Sequence, residues 1–231
     1  MSLACDTCPV RDRAACAVLT DEERASLASA GRSESLKRGD TLFHAGDSDS
    51  ACATLLSGAL KVTTTDYDGT ERILALIHPA GFVGELFRPF SEYDVVALAD
   101  CDLCVFARSS MEQALDKHPA LTQALFRRAQ EDLHASRALL ALTGKNSASE
   151  KVASLVLSLA QAASDSPCHP ARTFDLPLTR GEIANLLGIT IETVSRQLSK
   201  LENSGAIRRN GSRGIELVDP ARLQLASDPL S

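Results

Sequence analysis

The chain has 231 residues, a formal net charge of −6 and seven cysteines. A hydrophobic share of 44% supports one large core or two small ones and excludes a disordered tail, and no run approaches the roughly 18 apolar residues of a membrane span. The pI of 5.4 excludes a protein that coats nucleic acid by bulk charge.

Residues 1–19 open on cysteine and charge rather than on an apolar run, so no secretory signal is expected and the chain is assigned to the cytoplasm. There, cysteines are thiolate ligands or redox sensors more often than structural disulfides. Cys5, Cys8 and Cys16 crowd ahead of any periodic pattern, in a segment expected to have no structure of its own. Residues 20–108 read as a short helix near 21–30 followed by short strands punctuated by glycines, with a hairpin signal at Asp68-Gly69. Many short strands with regular turns suggest a sandwich or a barrel-like roll.

From 109 to 144 the period becomes helical, and Pro119 divides a short helix from a long one. Phe126, Ala129, Leu133, Ser136 and Leu140 recur at steps of three and four, a heptad-like seam for a second copy of the chain or for the chain's own domain. Residues 145–231 form a compact region after the hinge-like Gly144-Lys145-Asn146-Ser147. Charge follows this division. Residues 1–144 carry 14 basic and 21 acidic side chains, residues 145–231 ten and nine, and the stretch 180–213 sets six basic residues against three acidic ones.

Thr179-Arg180-Gly181-Glu182 is a capping-box pattern, Gly188 ends the helix it starts, and Thr190 can cap a second helix over 191–203. Two short helices joined by a glycine turn form a helix-turn-helix, and Asn210-Gly211 between two apolar runs adds a hairpin wing. Glu192, Ser195 and Arg196 share the outward face of the second helix. Arg196 can fork onto guanine, Glu192 can accept from cytosine, and Ser195 suits a base or a phosphate. Arg180, Lys200, Arg208, Arg209 and Arg213 are expected to touch phosphates. The partner is therefore double-stranded DNA. No nucleophile–base pair, phosphate loop or paired carboxylates stand out, so an enzyme is not expected.

Ile191-Glu192-Thr193-Val194-Ser195-Arg196 resembles the recognition helix of the CRP/FNR family of bacterial transcription regulators, its FNR branch in particular. The resemblance spans nearly the whole chain, and Lys37–Asp47 is similar to part of the family's β-roll. It implies an α+β chain: a cysteine-rich segment (1–19), a double-stranded, jelly-roll-like β-roll sensor (20–108), a dimerisation helix (109–144) and a winged helix-turn-helix (145–231). It implies a homodimer in which Glu192, Ser195 and Arg196 read a TTGAT…ATCAA-type palindrome, with half-sites about 34 Å apart. It further implies RNA polymerase as partner of an activator, with the loop near 88–93 as a candidate surface.

Cysteine trios of FNR-branch sensors, joined by a cysteine on the last strand of the roll, hold a [4Fe–4S] cluster. By that resemblance the ligands are Cys5, Cys8, Cys16 and Cys104, and Pro9 and Arg11 look like the alphaproteobacterial form of the trio. Cys101 competes with Cys104, but residues three apart on a strand face opposite ways. Zinc, a thiol switch or nitric oxide sensing stand as alternatives. Cys52 and Cys168 are expected to be buried or half-buried. A cyclic nucleotide is not expected: Gly84-Glu85-Leu86 reads as a structural turn, and Ser91–Val96 brings acids where the phosphate needs a cation. Oxygen-regulated relatives carry an acid in the dimer seam where Ser136 stands here.

Overall fold

The computed structural model describes residues 3–48, 51–88, 90–164, 166 and 168–228. The cysteine-bearing segment is folded, contrary to the expectation from its lack of period. It makes two 3-10 turns, Cys5–Thr7 and Ala15–Val18. Between them Val10 and Ala14, four residues apart, are only 1% and 4% exposed and pack against Ala80. Apolar burial and backbone turns thus give the segment structure that a periodicity argument could not see.

Thr20 then caps α1 (Asp21–Ser29) with a full capping box, since its hydroxyl accepts from Glu23 N–H while the Glu23 carboxylate accepts from Thr20 N–H. Eight strands follow: β1 (Gly31–Leu36), β2 (Thr41–Phe43), β3 (Ala51–Ser57), β4 (Leu60–Thr65), β5 (Glu71–Ile77), β6 (Phe82–Val83), β7 (Asp94–Ala97) and β8 (Cys101–Ala107). They form two antiparallel sheets, ordered β1-β8-β3-β6 and β2-β7-β4-β5. Leu55, Leu60, Val95, Leu103 and Val105 fill the space between them.

Strand β8 positions the site. Its residues 101, 103 and 105 point into the roll and are buried. Phe106 and Cys104 lie on the opposite face, among Met111, Leu115 and Leu121. The last three residues come from α2 (Arg108–Lys117) and the first turn of α3 (Pro119–Thr143). Pro119 opens α3, where its missing N–H costs nothing.

The chain divides into two units, Met1–Ser136 and Arg137–Ser231, a boundary that falls inside α3. The second unit holds α4 (Ala148–Ala162), β9 (Thr173–Asp175), α5 (Arg180–Leu187), α6 (Ile191–Asn203), β10 (Ile207–Asn210), β11 (Gly214–Leu217) and α7 (Pro220–Ser227). The wing has three strands in the order β10-β11-β9, not the two that a hairpin signal implies. Helix α7, capped by Asp219 with Pro220 at its first position, closes the unit. Its core joins Leu155 and Val156 of α4 to Ile183, Leu187, Val194 and Leu198 of the two short helices, all buried. Truncating one such leucine to alanine costs about 2–5 kcal/mol. Among the described residues no helix is long and apolar enough to cross a membrane.

Candidate functional site

Cys5, Cys8, Cys16 and Cys104 line one cavity of about 330 Å³ between the N-terminal segment and the outer face of the β1-β8-β3 sheet. Ser33 and Thr54 are the cross-strand partners of Cys104 and line the same cavity. Cys101 is elsewhere. It is buried in the roll, and its thiol donates to the carbonyls of Ala59 at 3.3 Å and Ala99 at 3.2 Å. Gly58 presses on it so closely that a Cβ there would sit 2.7 Å from its sulfur. Cys52 is buried, as expected. Cys168 is exposed, which corrects the expectation of at least partial burial: it lies in the loop between α4 and β9, where nothing apolar covers it.

The thiols of the cavity feel burial and one another. Burial, then the neighbouring Cys8, Cys5 and Cys16, pushes Cys104 up to about 12. Cys16 is raised by burial and then by Cys8 and Cys5, and Cys5 by burial and then by Cys8. Such thiols are protonated and weakly nucleophilic unless a cation replaces the protons. Arg24 supplies a fixed positive charge that acts the other way on both Cys5 and Cys16. Among the described residues no three His, Cys, Asp or Glu side chains gather tightly enough to hold a single metal ion.

The cysteine segment also touches the root of the long helix. Arg128 of α3 donates to the Arg13 carbonyl at 3.2 Å, and Leu125 packs beside Cys16 and Cys104. Farther along α3, Phe126, Leu133 and Leu140 are 65%, 42% and 71% exposed, Ala129 is exposed and Ser136 half-buried. An apolar stripe this open on one chain is suited to a partner surface.

At the other end, the helix-turn-helix is built as its sequence dictates. Thr179 and Glu182 complete a capping box on α5, Gly188 turns the chain at φ 62°, and the Thr190 hydroxyl accepts from Thr193 N–H to start α6. Glu192 and Arg196 are exposed, and Ser195 between them is half-buried. The Glu192 carboxyl is held below its usual range by its own backbone N–H and the Thr190 hydroxyl, so it stands as an ionised acceptor. Arg196 bonds Thr193 at 3.2 Å, and Arg180 reaches the Ser195 hydroxyl at 3.4 Å. Arg180 and Lys200 are exposed, and Arg213 sits half-buried in the wing turn. Arg208 pairs with Glu216 at 2.8 Å. Arg209 is held by Glu202 through both its side chain and its backbone N–H, a commitment the spacing alone did not reveal.

The loop after Gly84 is likewise tied to itself. Gly84 has φ 115° and lies against Ala51 and Cys52, where a Cβ would meet backbone at 2.7 Å. Glu85 accepts from Glu92 N–H, Arg88 pairs with Glu92, and the Ser91 hydroxyl donates to the Tyr93 carbonyl.

Residues 150–226 match the Crp-like helix-turn-helix domain, and residues 33–118 match the cyclic nucleotide-binding domain. The transcriptional activator protein FnrL of Cereibacter sphaeroides is 38% identical over 222 residues, which cover 95% of this chain and 90% of that protein. The chain belongs to the CRP/FNR family, in its FNR branch. A second FNR-branch relative, the nitrogen fixation regulation protein FixK of Bradyrhizobium diazoefficiens, is 31% identical over 95% of this chain and 92% of its own length. The solved structure of FixK2 from Bradyrhizobium japonicum shares the fold, with a TM-score of 0.77 at 24% identity, over 87% of this chain and 99% of that one. This CRP/FNR protein is a DNA-binding transcription regulator and not an enzyme.

Proposed function

We propose that this regulator is a homodimer that reads a TTGAT…ATCAA-type palindrome through Glu192, Ser195 and Arg196 when a [4Fe–4S] cluster is held by Cys5, Cys8, Cys16 and Cys104. The observation that carries the reading is the convergence of four thiols, from two segments far apart in sequence, on one cavity at the root of α3. All four donors are thiols, the set that an all-cysteine [4Fe–4S] cluster uses. Four thiolates also suit zinc, and metal analysis of the anaerobic protein separates the two.

When bound, the cluster supplies oxygen-labile iron–sulfur bonds and a net negative charge. The chain's own residues do the rest. Arg24 faces that charge, and Leu27, Phe106 and Met111 give the cavity an apolar wall. Arg128 links the Arg13 backbone to α3, so a change in the cysteine segment bears on the helix that carries the Phe126–Leu133–Leu140 stripe. Two reading heads bind a palindrome together only while the pair keeps the half-site spacing. Because Ser136 is neutral, the metal-free dimer resists dissociation better than one with an acid in the seam, and gel filtration of both forms reads this directly. The cyclic nucleotide domain is read as a fold without its nucleotide, since Arg88 is paired to Glu92. As an activator the protein works with RNA polymerase.

The test is anaerobic purification. The expected protein has broad visible absorption, about four iron atoms per chain and palindrome binding that is lost in air. A colourless protein without iron, or DNA binding indifferent to oxygen, overturns the reading.

A further inference from the structure

Arg24 is only 8% exposed and makes an unusual set of contacts. Its guanidinium donates to three carbonyls at the second 3-10 turn of the cysteine segment and its cap: Leu19 at 2.8 Å, Ala17 at 3.4 Å and Cys16 at 3.5 Å. A fourth bond reaches Asp21 Oδ1 at 2.8 Å. The same oxygen accepts from Arg11 at 2.7 Å, and Arg11 lies between Cys8 and Cys16. One carboxylate at the start of α1 therefore joins two arginines, one on each side of the turn that leads to Cys16. Arg24 and Leu27 are the buried residues of α1, and both arginines line the thiol cavity.

We propose that this Arg11–Asp21–Arg24 triad is a positioning device that keeps the three-cysteine segment folded onto its cavity while no metal group is bound, so that the site stays ready to be refilled. The refilling part rests on the cluster reading; the folding part does not. Without the triad, the buried Leu19 carbonyl loses its side-chain donor, the part-buried Ala17 and Cys16 carbonyls lose theirs with only Cys16 keeping the Leu19 N–H, and the segment must either admit water or open. With it, the ordering entropy of the ligand-bearing turn is met by the fold itself, before any cofactor binds. The cluster would then be gained and lost by a pre-shaped site rather than by a segment that folds and unfolds each time.

Thiol trapping on the reduced, metal-free full-length protein tests this, with a maleimide reagent and site-resolved mass spectrometry. The chain carries its own controls: Cys168 is exposed, and Cys52 is buried. In the wild-type chain Cys5, Cys8 and Cys16 react more slowly than Cys168, and Cys52 stays protected. Arg24→Met speeds the trio by about tenfold or more, as expected for local opening, while Cys52 remains protected. The sign is diagnostic. Loss of the arginine's charge alone raises the thiol pKa values and slows alkylation, so acceleration reports opening rather than electrostatics. Asp21→Asn moves the rates the same way but less, because the carbonyl fork survives, and Arg24→Lys, which keeps the charge without the fork, opens the segment as Arg24→Met does.

A wild-type trio as reactive as Cys168, or rates unchanged in Arg24→Met and Asp21→Asn, overturns the proposal. Should Arg24→Met also expose Cys52, the molecule has unfolded globally, and Asp21→Asn decides by the same criterion, since that side chain is 83% exposed. Anaerobic reconstitution of Asp21→Asn is slower than that of the wild type if the triad serves refilling. A wild-type chain that never takes up iron overturns the cluster reading and the refilling role together, and alkylation still decides the folding role.

Discussion

Arg196 and Cys104 stand at the working faces of two units that are assembled in opposite ways. The reading head is local: within 25 residues, 179–203, the sequence supplies the cap, the glycine turn, the buried face and the exposed face. Glu192 and Arg196 stand exposed to water, with Ser195 half-buried between them. The thiol cavity is non-local: Cys16 and Cys104 meet only because β8 runs between β1 and β3 and the N-terminal segment folds back over its outer face. Burial raises the pKa of three of its thiols, Cys5, Cys16 and Cys104. A recognition surface can stand permanently prepared, whereas buried thiols are costly to ionise until a cation replaces their protons.

The sharpest way to break this contrast is at β8. Cys104→Ala is expected to abolish iron uptake altogether, while Cys101→Ala leaves it intact and costs stability alone; iron content of the two anaerobically purified variants decides. At the reading head Arg196→Ala is expected to cost about 1–3 kcal/mol of specific binding, roughly ten- to a hundredfold in affinity, and to relax the preference at one base pair. Fluorescence titration with the palindrome and its single-base variants checks both.

The contrast also has a pH signature. Cys52 and Cys104 are both raised from the ordinary 9.0 to about 12, Cys52 by burial and then by Glu112, Cys104 by burial and then by its neighbouring thiols. A group whose folded pKa lies above its unfolded value stabilises fully below the unfolded pKa, and that stability is lost as pH rises toward the folded one. The metal-free protein is therefore expected to keep its urea midpoint up to about pH 9 and to lose it steadily above, with Cys52→Ala flattening the fall. The smallest effect sorts the arginines. Arg180→Ala should reduce the salt dependence of DNA binding by about one counterion, whereas Arg209→Ala should leave it unchanged and lower stability slightly through the lost Glu202 pair.

The same contrast explains what could be read in advance. Thr179, Glu182, Gly188 and Thr190 announce the helix-turn-helix because each acts on backbone within four residues of itself. Strand β1 is hidden, since Arg32, Ser33, Glu34 and Ser35 show no apolar alternation; it is a strand because β8 pairs with it. The folded N-terminal segment was hidden for a similar reason: Val10 and Ala14 are too few to make a period, and their burial depends on Ala80. Helix α7 did carry a local sign, Asp219 before Pro220, at a place where the chain's end drew no attention. Opposite faces for Cys101 and Cys104 followed from strand geometry alone. Which face held the other thiols did not.

Strand β8 also separates two histories that the protein can have. Residues 101, 103 and 105 face the core of the roll, and Cys104 and Phe106 between them face the thiol cavity. Replacing Cys104 by a small residue leaves the interior of the roll untouched, so a descendant of this chain can lose that thiol in one step and keep its architecture. Deleting a single residue ahead of Cys104 cannot do this, since the slip would turn the aliphatic wall outward and the thiol inward together. The thiol is thus easy to shed and hard to misplace.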